Sequence, residues 1–222
     1  MEFLTALLLI LVPLAFNLAF FRLGQVFDYP AILRRPPGEV LARFHAGGAS
    51  LRRLWYLFAL TAAVFIPLPI LVQFLFGALA PWYLIIGTAA GVLAGLVQVI
   101  GLLRWSFLVP VLAERHQAAA AASLQREAIE IVFDAFHRFI GSAVGEHLGY
   151  AFTAFWSLIV ALAILETGLF PDWLGWAGLI PALGIAVGLT EEAGFKPAAL
   201  INAVAYVLWS VWLVAFGVVI LV

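Results

Sequence analysis

The chain has 222 residues, 66% of them hydrophobic and only 10% charged, with a net charge of −1. Soluble domains carry about a quarter charged residues, and a chain of this size exposes too much surface to hide so much apolar area from water, so lipid is the solvent for much of it. The near-neutral balance excludes the clustered basic excess of a nucleic-acid footprint, and the lack of cysteine excludes a disulfide framework, a thiolate metal site and a cysteine nucleophile.

Apolar runs of about 18 or more residues are candidate spanning helices, because about 20 residues cross roughly 30 Å of hydrocarbon. The first, Phe3–Phe21, has Asn17 as its only strongly polar member. It exceeds a signal-peptide core, follows no basic residue and precedes no small-residue cleavage pattern, so it is expected to remain as a first span. Leu54–Gly77 is the second, where Pro67 and Pro69 predict a kink with freed backbone carbonyls. Leu79–Leu103 is the third, Leu148–Leu165 the fourth and Trp173–Leu189 a short fifth. Pro197–Val222 is the last and is long enough to tilt.

Two further segments read as amphipathic helices. In Asp28–Ala46, Pro36-Pro37-Gly38 precedes Glu39-Val40-Leu41-Ala42-Arg43-Phe44, which predicts a short helix lying on the membrane surface. Ala118–Ile140 opens on an alanine run, and its apolar positions 129, 132, 133, 136, 139 and 140 follow helical spacing. Its polar face carries Glu127, Glu130, Asp134 and Arg138. An unbroken helix from there to Leu165 would far exceed the bilayer, so a bend is expected near Gly141–Gly149. The fold class is thus all-α: a single transmembrane domain over residues 1–222 with six spanning helices and two cytoplasmic amphipathic helices.

The charges orient this bundle. The loops after spans one, three and five hold Arg22, Arg34, Arg35, Arg43, Arg52, Arg53, Arg115, Arg126, Arg138 and Lys196, while the other side holds only Glu2, Glu166 and Asp172. Lys and Arg in short loops mark the cytoplasm, which predicts both termini outside. Trp82, Tyr83, Trp173 and Trp176 read as one aromatic belt, and Trp55, Tyr56, Trp105 and Tyr150 as the other.

Glycines recur every four residues at Gly141, Gly145 and Gly149, and again at Gly87, Gly91 and Gly95. Such ladders let helices approach closely in lipid, within the chain, between copies of it, or against another membrane protein. The two ladders sit at different depths, so different neighbours are expected.

Depth counting brings a polar group together: Gln98, Gly101 and Arg104 near the inner end of the third span, Glu146 and His147 at the start of the fourth, with His137 just before it. Ionisable groups at membrane depth mark a ligand or ion site by default. The alternative is that Arg104, beside Trp105, snorkels to the headgroups. His137 and His147 are ten positions apart, which separates them by about 80° and about 15 Å on a straight helix. They do not share an ion there, no other span offers a histidine to complete a haem site, and His45 and His116 are placed in loops. No metal site or cofactor is predicted. Ser142, Ser157 and Ser210 have no nucleophile-elbow context, and no phosphate-cradling loop occurs. Asn202, Gln73 and Asn17 read as helix-to-helix amides, and Trp209 and Trp212 as core.

Several of these segments carry a family likeness. Leu102-Leu103-Arg104-Trp105 with Val109-Pro110-Val111-Leu112-Ala113, Phe136-His137, Gly145-Glu146-His147-Leu148-Gly149, Phe170-Pro171-Asp172-Trp173-Leu174-Gly175-Trp176 and Leu208-Trp209-Ser210-Val211-Trp212-Leu213 resemble bacterial membrane proteins grouped as domain of unknown function 4386. The resemblance covers most of the chain beyond about residue 50. It implies a helical protein of the bacterial inner membrane and brings no activity or cofactor. Three functions remain in view: a non-enzymatic accessory, sensor or scaffold subunit; a small transporter or ion-conducting protein gated at the Arg104 level; and an intramembrane protein for a hydrophobic ligand or haem, with Glu146 and His147 as acid–base groups.

Overall fold

The computed structural model describes every residue, 1–222. It holds helices and turns and no strand. Six helical runs are long and apolar enough to cross a membrane: Glu2–Phe27, Pro37–Leu75, Leu84–Ala118, Leu124–Thr167, Asp172–Thr190 and Ala198–Leu221. In hydrocarbon every backbone N–H and C=O must find its partner inside the protein, which restricts a chain of this composition to helices or a closed barrel. The protein is an all-α, multi-pass membrane protein.

Nine α-helices make up these runs. The first, α1, covers Glu2–Phe27 and carries Arg22 well past the apolar stretch. The second, α2, covers Pro37–Phe65, with Pro37 in its first turn, where a missing N–H costs nothing. Gly48, at φ 55° and ψ −149°, breaks α2 in a conformation that a side chain resists. The segment before that break is the expected amphipathic helix, but Val40, Leu41 and Phe44 are buried against protein rather than laid on the membrane surface. The expected proline kink falls at Pro67, after which α3 covers Leu68–Leu75.

Helix α4 covers Leu84–Phe107. It starts later than predicted because Gly77, at φ 51°, opens a tight turn. Helix α5 covers Val109–Ala118 and α6 covers Leu124–Phe136. The alanines predicted to start a helix instead make the turn between them. Ser123 caps α6, its Oγ accepting from Arg126 N at 3.3 Å. Local capping outweighs the intrinsic preference of alanine for helix.

The helical run continues through Gly141–Gly149 without a loop. Instead His137–Leu148 winds as a π-helix and continues into α7, Gly149–Thr167. Helix α8 covers Asp172–Val187, and α9 covers Ala198–Leu221.

Two compact units divide the chain. One comprises Met1–Leu14, Ala62–Val97 and His147–Val222. There α8 packs on both α7 and α9, around Phe65, Phe76, Trp156, Trp212 and Phe216. Trp212 Nε1 donates to Leu174 O at 2.9 Å and Trp209 Nε1 to Ser157 Oγ at 2.8 Å, so both indoles serve the core. Asn202 Nδ2 donates to Ile185 O at 3.2 Å, a helix-to-helix amide as expected.

The other unit comprises Ala15–Thr61 and Gln98–Glu146. Its centre is Trp55 stacked on Trp105, centroids 4.5 Å apart and planes 10° apart. Phe27 meets both edge-on. These two tryptophans are fully buried, so they are core and not the interfacial belt predicted for them, whereas Trp82, Trp173 and Trp176 are exposed. Lipid is as apolar as a leucine side chain, so close packing, not transfer from water, holds such helices together. Each aromatic pair adds about 0.5–1.5 kcal/mol.

Two helices of this unit meet backbone to backbone where Gly101 of α4 faces Gly145 of the π-helix: a Cβ on Gly101 would stand 2.7 Å from Gly145 Cα. Backbone does not yield as a side-chain tip does. Gly101→Ala and Gly145→Ala are each expected to cost about 1–3 kcal/mol, read as a lowered unfolding midpoint in detergent; unchanged midpoints would refute the contact.

Candidate functional site

Arg104 is the one arginine that the protein buries. It lies near the end of α4, yet only 8% of it is accessible, so it does not snorkel. Four features of its own unit enclose it. Its Nη1 donates to Gly101 O, one turn back on the same helix. Its guanidinium lies over the Trp105 ring, 5.3 Å from the centroid. Gly141 provides the opposite wall: a Cβ there would fall 2.5 Å from Arg104 Nη2. Finally, Nη2 lies 3.4 Å from His137 Nδ1. A guanidinium only donates, so in this contact Nδ1 accepts and the imidazole is neutral, with its proton on Nε2.

Charge compensation comes from Glu146, whose carboxylate acts electrostatically on both Arg104 and Tyr29. Burial, reinforced by Glu146 and opposed by Arg104, pushes the Tyr29 phenol well above its ordinary value, so it stays protonated. His137 in turn stacks on Phe133, centroids 5.6 Å apart. The site is a charged core wrapped in aromatic rings and glycine backbone, with one cation, one carboxylate, one neutral imidazole and one phenol.

Of the residues singled out in the sequence, the structure gathers Arg104, His137 and Glu146. Gln98 is partly buried and sits six positions before Arg104 on α4, about 9 Å along the axis and on a different face. His147 is half-buried and falls in the other compact unit. No group of three or more His, Asp or Glu side chains converges in the arrangement a metal ion needs.

Five of the ladder glycines meet neighbours within their own units. Gly87 abuts Ile159, Gly91 abuts Pro69 and Trp156, and Gly95 abuts Ile66. Gly141 and Gly145 instead serve Arg104 and Gly101. Gly149 is buried at the start of α7.

Two residues escaped sequence reasoning. Tyr29 follows the first span in a polar turn, where nothing in its neighbours marks it as packed against Trp55. His116, expected in a loop, lies on α5 and is wholly inaccessible. Its Nε2 is 2.7 Å from Glu130 Oε1 and 3.0 Å from Arg126 Nε, which ties α5 to α6. Gly38 belongs to the same cluster, since a Cβ there would touch Glu130. The signal was present in the spacing: His116, Arg126 and Glu130 face one another once the alanines turn. His45 also lies on a helix, α2, and is exposed.

Six helices long and apolar enough to span, one unit of which encloses an arginine, define a class: a multi-pass helical membrane protein. The chain belongs to the family described as domain of unknown function (DUF4386), whose model matches residues 4–217. No curated protein and no solved structure matches it significantly.

Replacing Arg104 separates charge from shape. Arg104→Lys keeps the cation but loses the planar fork and its stacking on Trp105. Arg104→Ala additionally removes the charge and empties the space that the guanidinium fills against Trp105 and Gly141, at about 2–5 kcal/mol. The unfolding midpoint, followed by tryptophan fluorescence in detergent, is expected to fall in the order wild type, Lys, Ala; equal midpoints would contradict the enclosure.

Proposed function

We propose that the protein is a non-enzymatic subunit of the bacterial inner membrane, an accessory, sensor or scaffold component, threaded with both termini outside and its basic loops in the cytoplasm. One observation carries the functional half: the charged interior is spent on the chain's own structure. Arg104 meets Gly101, Trp105, His137 and Gly141, as a structural lock does and a permeation gate facing water does not. The threading rests on ten Lys and Arg residues in one set of loops and none in the other.

A partner in the membrane, another protein or a second copy, is part of this reading. It meets helices whose ladder glycines are already covered by neighbours of the same chain. The competing reading is an ion-conducting protein, favoured by an Arg–Glu–His grouping at one depth.

The cysteine-free sequence makes the test direct. A single cysteine at Glu2 is expected to react with a membrane-impermeant maleimide on intact spheroplasts, and one at Arg126 only after lysis; the reverse pattern would overturn the threading. Reconstituted in liposomes, the protein is expected to pass ions no faster than empty vesicles. A flux abolished by Arg104→Lys would establish the conducting reading instead.

A further inference from the structure

A second polar pair lies in the other compact unit, where α4 begins and α7 ends. Tyr83, just before α4, donates its hydroxyl to Glu166 Oε2 at 2.5 Å. Burial, helped by this bond and by the carboxylate's charge, pushes the phenol up to about 12, so it remains a donor at neutral pH. The bond occupies one carboxylate oxygen and leaves the other as an acceptor.

An open groove of about 550 Å³ runs from this pair, lined by Tyr83, Ile159, Leu162, Leu165 and Glu166. That volume falls within the range of small-ligand clefts, about 300–1,000 Å³. Ile159, Leu162 and Glu166 recur at helical spacing, so they form one stripe along α7, about 10 Å from end to end, apolar throughout and closed by a carboxylate. Gly87 lets α4 pack directly against Ile159 at one end of this stripe.

Its polar end lies at headgroup level, for Trp82, 79% exposed, adjoins Tyr83. The adjoining turns, 76–83 and 168–171, contain no lysine or arginine. No side chain of the protein forms an ion pair with Glu166; the pairs present involve Asp28, Glu39, Glu130 and Asp134. An apolar trough open to lipid and ended by an uncompensated carboxylate is complementary to an amphiphile with a cationic, hydrogen-bonding head.

We propose that this groove selects a phospholipid with a primary-ammonium headgroup, its acyl chain along Ile159, Leu162 and Leu165 and its ammonium donating to the Glu166 carboxylate that Tyr83 orients. A primary ammonium brings three donors to the carboxylate, whereas a quaternary choline brings none, so the site distinguishes the two headgroups by hydrogen bonding at equal charge. The assignment does not depend on the direction of threading or on the arginine cluster.

The test is native mass spectrometry of the full-length protein in detergent, offered equimolar phosphatidylethanolamine and phosphatidylcholine with identical acyl chains. The wild type is expected to retain the ethanolamine lipid over the choline lipid by about two- to fivefold, the strength of an exposed ion pair. Glu166→Gln is expected to bring the ratio to about one without lowering the unfolding midpoint, and Tyr83→Phe to reduce the preference in part. Equal retention by the wild type, or a preference that survives Glu166→Gln, would overturn the proposal. So would cross-linking between copies through a cysteine at Leu162, which would mean that a second chain fills the groove.

Discussion

A guanidinium on a membrane helix needs either water or a protein that supplies what water would have supplied. Arg104 takes the second course. Hydrogen bonds from its fork go to a backbone carbonyl one turn away and to a neutral imidazole, its plane rests on an indole, and Glu146 balances its charge. Much of the surrounding unit follows from that requirement. Gly141 must lack a side chain because the guanidinium occupies that space, and Gly101 and Gly145 must lack one for the two helices to meet. The π-winding of His137–Leu148 is the backbone on which Gly141, Gly145 and His137 are presented. Such windings are rare and are used where an ordinary helix would aim side chains wrongly.

Enclosing Arg104 in protein also accounts for the aromatic residues around it. Trp55 and Trp105 stack in the core of this unit, with Phe27 edge-on to both and Phe133 edge-on to Trp105. They shield the cluster from lipid tails, where an exposed charge is costly. On the side where α4 begins and α8 starts, tryptophans behave conventionally: Trp82, Trp173 and Trp176 are exposed. One unit therefore spends its tryptophans on enclosing a charge, while the start of α4 and of α8 places them at the surface.

Hydropathy made the six spans legible because each is a long run with one dominant requirement, satisfaction of its own backbone. The kink at Pro67 was equally readable, since proline removes a donor wherever it stands. What escaped depended on contacts distant in sequence. The alanines before Ser123 favour helix locally, but the chain must turn there for His116 to meet Glu130 and Arg126. Tyr29 is partly buried by residues distant in sequence, edge-on to Trp55, and lies within electrostatic reach of Glu146. Trp105 looked interfacial beside an arginine because composition does not reveal which way a helix faces. Within the candidate site, depth counting placed Arg104 and Glu146 at one level, yet it also admitted Gln98, which faces elsewhere on α4.

Arg104 is compensated electrostatically by the chain's own Glu146 rather than by lipid headgroups. A double-mutant cycle tests it most directly, with Arg104→Gln, Glu146→Gln and the double variant unfolded in the same bilayer mimetic. Direct compensation predicts a coupling energy between the two sites of about 0.5–3 kcal/mol, with the double variant less damaged than the sum of the singles. Strictly additive losses would show that the two charges ignore each other and would contradict the account.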